Sequence, residues 1–434
     1  MAFEVVSRGT TITLQKNKKT RYFSVFKEEN MLDQSVLEME GIEVNVVGKD
    51  GYTSLQEAAI EGHHKVVQQL LSQEGIQVNK INQYGITALH LAAANANAQV
   101  VEQLLAKEDI QVNLVDWQGF TPLHEAAYNG HPKVVEHLLL KDGIQVNVPD
   151  KTGNTPLHEA AYGGHFEVVR QLLTNEELKV NMENIYGETP LMLASEKDHN
   201  KALQLLLAEE SIQVNKMNKH GKTALHGASA MGNAQVVEQL LAKEDIQVNL
   251  GDWIGFTPLH SAVYAGHQIV ASQLLGKEGI QVNFTCTKGA TPLYVAIIQE
   301  DHKMVELLLS VDETDVNKAM PSLLTPLRHA NWLSEKNPRK EEGFRGVIKL
   351  MKKRISQPTN ENATCIACME REPAVVLFPC SHQILCGPCA HQWGEERKGC
   401  PMDRIAILEI LPLERKRNEQ GENKPAKRFK ATQN

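Results

Sequence analysis

The sequence predicts a mainly α-helical solenoid of repeated units, followed by a small module held by paired metal-ligand residues. Two observations carry this expectation. A threonine recurs at positions 53, 87, 121, 155, 189, 223, 257, 291 and 325, a constant step of 34 residues, and a fixed period of that size marks stacked supersecondary units. Six of the seven cysteines fall between residues 365 and 400, a clustering in close pairs that points to metal rather than to a disulfide scaffold. The rest of the composition narrows the class. With 434 residues, 42% of them hydrophobic, the chain has material for more than one folding unit. A formal charge of -8 does not mark a nucleic-acid binder. The opening "MAFEVVSRGTTITLQKNKKTRYF" lacks the apolar core of a secretory signal, and no apolar run nears the ~18 residues of a membrane span. A soluble intracellular protein with no membrane partner is expected.

Each repeat has a local physical logic, clearest in "GFTPLHEAAYNGHPKVVEHLL" (119–139) followed by "IQVN" (144–147). Gly119 permits the backbone angles of a tight turn. Thr121 and Pro122 open a helix, where the missing proline N–H costs nothing. Leu123, Ala126 and Ala127 form a short apolar face whose small residues let helices approach closely. Gly130 ends this helix; Val134, Val135, Leu138 and Leu139 make the stripe of a second. "IQVN" then extends into the next hairpin. One unit cannot bury its own face, so stacking neighbours completes the core. Two units are close copies, since "AQVVEQLLAKEDIQVNL" occurs at 98–114 and again at 234–250.

These residues resemble the ankyrin repeat, whose signature G-x-TPLH-x-AA…GH…VV…LL…VN they match nearly letter for letter over about 46–353. Eight units are clear. A ninth, from "LLTPLRHA" (323–330), departs: an insertion near "SEKNPRKEEG" (334–343) displaces its second helix to about "FRGVIKLMKKR", and it looks like a terminal cap. Residues 20–45 resemble a worn capping half-repeat ending in "IEVN", within an N-terminal segment 1–45. Residues 1–19 have no assignment.

Ten of the seventeen histidines fall at two fixed repeat positions, as in His90 and His124 or His131 and His165, so repeat geometry explains them and no catalytic or ligand role is expected. The hairpin tips vary while the frame does not. Trp117 and Trp253 occupy equivalent tip positions where packing needs no indole, and Tyr128, Tyr162 and Tyr264 share a place late in the first helix. Exposed aromatics bury much area at little entropy cost, so these five are the candidate substrate-binding residues; the alternative is packing on neighbouring repeats. No phosphate loop, nucleophile elbow or HExxH occurs here.

Beyond a polar linker (354–362) the ligand residues come in four pairs: Cys365 with Cys368, Cys380 with His382, Cys386 with Cys389, and Cys400 with Asp403. Two thiolates on one turn suit adjacent corners of a zinc tetrahedron, and eight ligands make two closed structural sites. So short a segment has too little apolar content to fold alone, and structural zinc contributes roughly 10–16 kcal/mol in comparable small modules. Four pairs in this order resemble the RING finger, over about 363–413, of the type found in inhibitor-of-apoptosis and mind-bomb-like ligases. The resemblance implies interleaved sites, one zinc on Cys365, Cys368, Cys386 and Cys389, the other on Cys380, His382, Cys400 and Asp403. Carboxylate oxygen is an accepted zinc ligand with the charge of a thiolate; His391 is the competing donor.

RING proteins are ubiquitin ligases, so the resemblance implies an enzyme without a covalent ubiquitin intermediate. Ile366 and Pro401 would meet the ubiquitin-charged conjugating enzyme. Trp393 either extends that groove or belongs to the core. Arg404, directly after the last ligand, stands where many active RINGs keep a basic linchpin; a solvated surface cation is its alternative reading. Residues 405–413 imply a closing strand and, in this type, dimerisation. The tail 414–434 holds seven Lys/Arg against three Glu, and "RKR" with "KPAKRFK" resembles a bipartite import signal for an acidic receptor groove; a simply solvated tail is the alternative. The expected function is thus a ligase whose repeats bind an unknown protein substrate, in the cytoplasm or nucleus of a eukaryotic cell or of a host cell receiving a bacterial effector. A non-enzymatic ankyrin adaptor with a dimerising zinc module is the rival.

Overall fold

The computed structural model describes residues 44–48, 51–318, 325–336 and 341–355, together with the backbone of 2–7, 10–16, 21–25, 373–376 and 384–386. The chain divides into two compact units, Met1–Val347 and Ile348–Asn434.

The first unit is the repeat stack, mainly α-helical as expected. Its first helices run from Ser54–Glu61 to Pro292–Ile298, its second helices from His64–Leu71 to His302–Leu309, in strict alternation. The recurring threonine is the N-cap of every first helix in this series. Thr121 has the extended backbone of a cap, φ -88° and ψ 166°, and its Oγ1 accepts the His124 N–H at 3.3 Å. Between the helices, Leu123, Ala126, Ala127, Val134, Val135 and Leu138 are fully buried, whereas Leu139 lies half-buried at the edge of the stripe. The chosen residues are small where helices cross and branched where they interdigitate.

Bonds between repeats hold the stack together at three levels. At the tips, Trp117 N–H donates to the Tyr84 carbonyl at 2.9 Å, and the same link recurs from Lys151 to Gln118 and from Ile185 to Thr152. At the base, the asparagine of eight successive "VN" pairs bridges to the next repeat. Asn181 Nδ2 donates to the Ser211 carbonyl at 2.7 Å while its Oδ1 accepts the Gln213 N–H at 2.9 Å. Asn45, Asn79, Asn113, Asn147, Asn215, Asn249 and Asn283 repeat this two-way contact. The third level is the histidines, described with the site. Such reciprocal bonds satisfy backbone groups that a repeat cannot pair internally.

Glycine is required where tips approach. Gly153 has φ +80°, and a Cβ there would lie 2.8 Å from the Ile185 nitrogen of the next tip. The last repeat differs from expectation in detail. Its first helix, Pro326–Lys336, is 11 residues long and its second, Glu341–Ile355, is 15, so much of the supposed insertion is extra helix. Phe344 and Val347 are buried.

Residues 2–25 form a three-stranded antiparallel meander, β1 (Ala2–Ser7), β2 (Thr10–Lys16) and β3 (Arg21–Val25), in sequence order. This sheet was not expected, and β3 occupies the beginning of the segment read as a capping half-repeat. In the second unit, β4 (Pro373–Val376) pairs antiparallel with β5 (Ile384–Cys386).

Candidate functional site

Two regions bear on function: the exposed side of the repeats and the cysteine-rich segment. On the repeats, all five expected aromatics are solvent-facing. Trp117 is 58% exposed and Trp253 69%, with Tyr128 at 50%, Tyr162 at 45% and Tyr264 at 61%. Each tryptophan nevertheless leans on a ring from the preceding tip. Tyr84 lies 5.5 Å from Trp117 between centroids, and His220 lies 5.1 Å from Trp253. Phe120 and Phe256 meet Tyr128 and Tyr264 edge-on at 6.4 and 6.3 Å. Partial packing on a neighbouring ring and solvent exposure thus coexist in these side chains.

The same surface carries residues that the pattern did not single out. Tyr84, Tyr186, Ile185 and Ile254 are exposed at the tips. Their signal was available: they occupy the two variable positions beside the invariant tip glycine, where large apolar residues have no core to fill.

The buried histidines behave as structural bridges. His124 Nδ1 accepts the Thr121 N–H at 3.1 Å, so its proton sits on Nε2, which donates to the Asn154 carbonyl of the next repeat at 3.1 Å. His90, His158, His226 and His260 make equivalent bridges. In the first repeat Gln56 replaces the imidazole, its Oε1 accepting from Thr53 and its Nε2 donating to the Ile86 carbonyl. Burial holds these imidazoles neutral; it drives His124, His158 and His260 down to about 4 despite their carbonyl partners. His131, His165, His199 and His267 form the second series, each bonding through Nε2 to a carbonyl of the preceding repeat at 2.9–3.0 Å. Nine of the ten are thus consumed by the frame; the tenth, His63 of the first repeat, is buried with its Nδ1 unbonded. Burial, then the charges of Asp116 and Glu159, push Glu125 up to about 7, and burial raises Glu159 as well.

Among the described residues no group of His, Cys, Asp or Glu is arranged to hold a metal, and no helix is long and apolar enough to cross a membrane. Of the expected zinc ligands, Cys386 closes β5, directly across from Pro373 in the register. The connection from β4 to β5 carries Cys380 and His382 in sequence. Cys365, Cys368, Cys380, His382, Cys389, Cys400 and Asp403 lie outside the described residues, as do Ile366, Trp393, Pro401 and Arg404. The donor chemistry fits zinc: six thiols, one imidazole and one carboxylate, in pairs one or two residues apart.

Comparison with family models matches "Ankyrin repeats (3 copies)" in overlapping windows that together run unbroken from residue 24 to 320. The chain belongs to the ankyrin-repeat family. Beyond this ankyrin-repeat stack, residues 361–410 match "Zinc finger, C3HC4 type (RING finger)". The described type has three cysteines, one histidine and four cysteines in order; this ankyrin-repeat protein supplies all but the last, where Asp403 stands. A search of curated proteins returned no match. Ankyrin repeats are protein-binding surfaces and a RING finger is a zinc-binding module, so the pair fits a RING-type ligase or an adaptor.

Proposed function

We propose that the protein is a RING-type ubiquitin ligase whose ankyrin surface selects a protein substrate. One observation carries the reading: a protein-binding solenoid with aromatics held at its face stands on one chain with a RING finger that keeps its paired donors. Two structural zinc ions would be held by Cys365, Cys368, Cys386 and Cys389, and by Cys380, His382, Cys400 and Asp403. With every cysteine of the module engaged as a ligand, none is left as a nucleophile. Ile366 and Pro401, with Trp393 beside them, would contact the conjugating enzyme. Arg404 would donate from its fixed fork both to ubiquitin and to that enzyme, holding the thioester in an attack-ready geometry. A substrate lysine amine then attacks the thioester carbonyl and the conjugating enzyme's thiol leaves. The protein's contribution is positioning.

Asp403 favours the second reading, an adaptor whose zinc module only dimerises, because the final ligand departs from the family pattern. Autoubiquitination in a purified system with a broad panel of conjugating enzymes separates the two. The ligase reading expects product from the wild type, lowered at least about tenfold by Ile366→Ala and by Arg404→Ala. A wild type inactive with every enzyme supports the adaptor. We place the site of action in the cytoplasm or nucleus of a eukaryotic cell, with the basic tail as the import address.

A further inference from the structure

Two repeats hold the same set of rings. Trp117, Phe120 and Tyr128 recur four repeats later as Trp253, Phe256 and Tyr264. The geometry recurs with them. Each tryptophan leans on a ring of the preceding tip, and each phenylalanine meets its tyrosine edge-on. Each phenylalanine also stacks on the buried histidine of its own repeat, Phe120 on His124 at 5.3 Å and Phe256 on His260 at 5.1 Å. The phenylalanines are half-buried, while the tryptophans and tyrosines are open to solvent. None of the three repeats between holds the set, the phenylalanine position reading Asn154, Glu188 and Lys222 in turn.

The surroundings of the two sets differ while the rings do not. Glu125 corresponds to Ser261, Gln118 to Ile254 and Asn129 to Ala265. The acid that both copies keep beside the rings, Asp116 or Asp252, is taken up by its own tip, its Oδ1 accepting two backbone N–H groups in each case. What the two surfaces have in common is therefore uncharged aromatic area, and a ligand that reads both must read that. The relation between the copies is also fixed. Successive first helices pack directly, from Pro122–Tyr128 through Pro156–Gly163, Pro190–Glu196 and Ala224–Met231 to Pro258–Ala265. Packed helices lie about 8–10 Å apart, so four steps separate the two sets by roughly 30–40 Å. Each step repeats one rise and one turn, so both sets face the same way along the stack. A twofold dimer would present its two copies reversed, whereas one chain carrying a segment twice presents them in the same direction.

We infer that the two ring sets are duplicate receptors for one short apolar peptide segment, which the bound protein carries twice in tandem. This rests on the reading of the repeats as the substrate surface and adds the chemistry and the number of the segments read there. An extended chain needs about 10 residues to cover the separation, and a flexible linker of about 40 residues matches it on average. Once the first segment is seated, the second binds at the effective concentration set by that linker.

The test begins with a random dodecapeptide library displayed on phage and selected on the full-length protein. A recovered peptide is synthesised alone and as a tandem joined by a flexible linker of about 40 residues, and both are titrated by calorimetry. The expected result is an apolar consensus, two equal sites per chain for the single peptide, and a tandem bound about a hundredfold tighter or more. Trp117→Ala and Trp253→Ala should each leave one site of unaltered affinity, which also shows that the variant is folded. Each should return the tandem to the affinity of the single peptide, and the double variant, with an unchanged melting curve, should bind neither. Peptides that fill one site only, or that bind the double variant as well as the wild type, overturn the duplicate receptor but leave the recognition surface standing. A charged consensus does the same. Retention of no peptide by the wild type counts against the receptor and the recognition surface together.

Discussion

Replacing His124 with glutamine tests whether the ankyrin stack depends on neutral imidazole. The substitution has a precedent within the chain, since Gln56 makes the same two-way bridge in the first repeat. At pH 7.5 the two side chains offer the same acceptor and donor, and stabilities within about 1 kcal/mol are expected. At lower pH they diverge. Burial lowers His124 from 6.5 to about 4 in the folded state, so the native state binds its proton less readily than the unfolded chain. The stability this supplies is fully present above pH 6.5 and is lost as pH falls towards the folded value. At pH 5 the unfolded imidazole is mostly protonated and the folded one mostly neutral, which amounts to about 2 kcal/mol against folding. Glu125 runs in the opposite direction: raised to about 7, it costs stability at neutral pH and ceases to do so in acid. That contribution is common to wild type and His124→Gln and cancels in their difference. Urea unfolding followed by circular dichroism at pH 7.5 and pH 5 reads the difference directly. The variant should lose about 2 kcal/mol less than wild type between the two pH values. Equal losses would refute the neutral bridge.

Other outcomes follow from the same geometry. Gly153→Ala should destabilise the stack by about 2 kcal/mol or more in urea titration, because the left-handed backbone and the 2.8 Å approach to the next tip act together. Ala96→Gly should stabilise by about 1 kcal/mol in the same assay: Ala96 has φ +61° at a position where Gly130 and Gly164 stand in other repeats. Asn181→Ala, which hands the exposed Ser211 carbonyl and Gln213 N–H over to water, should cost about 1 kcal/mol. Asp403→Cys should leave the zinc content of the purified chain unchanged, whereas Asp403→Ala should lower it by about one ion per chain, measured by elemental analysis.

The reading of the repeat from its residues was accurate wherever the interaction was local. Thr121 as helix opener, Pro122 in the first turn and Leu123 with Ala126 as the buried face all depend on residues a few positions apart. Nine of the ten repeat histidines bond the frame as expected, His63 being the exception, but their partners were not legible. His124 bonds a carbonyl thirty residues later in the chain, a distance set by the rise and rotation between repeats. The asparagines of "VN" were passed over for the same reason, although their two-way contacts recur along the stack. Tyr84 and His220 showed as bracing for the tryptophans only once adjacent tips were side by side. Of the meander, residues 2–19 had no assignment and the β3 residues were read as the start of a capping half-repeat, because the sheet lies outside the period on which the rest of the reading relied.

What the sequence by itself determined is the unit: its period, its caps, its buried face and the paired donors of the zinc module, each readable because a short run of chain prescribes it through backbone sterics, helix periodicity or ligand spacing. What only the tertiary structure decided is how units address one another. Bonds that span a full repeat, the solvent access left to Trp117 and Tyr128, and the bracing of Trp117 by Tyr84 arise when copies of one pattern are set side by side. Charge and exposure depend on distances through space, and stacking turns a separation of 34 residues into a neighbouring contact.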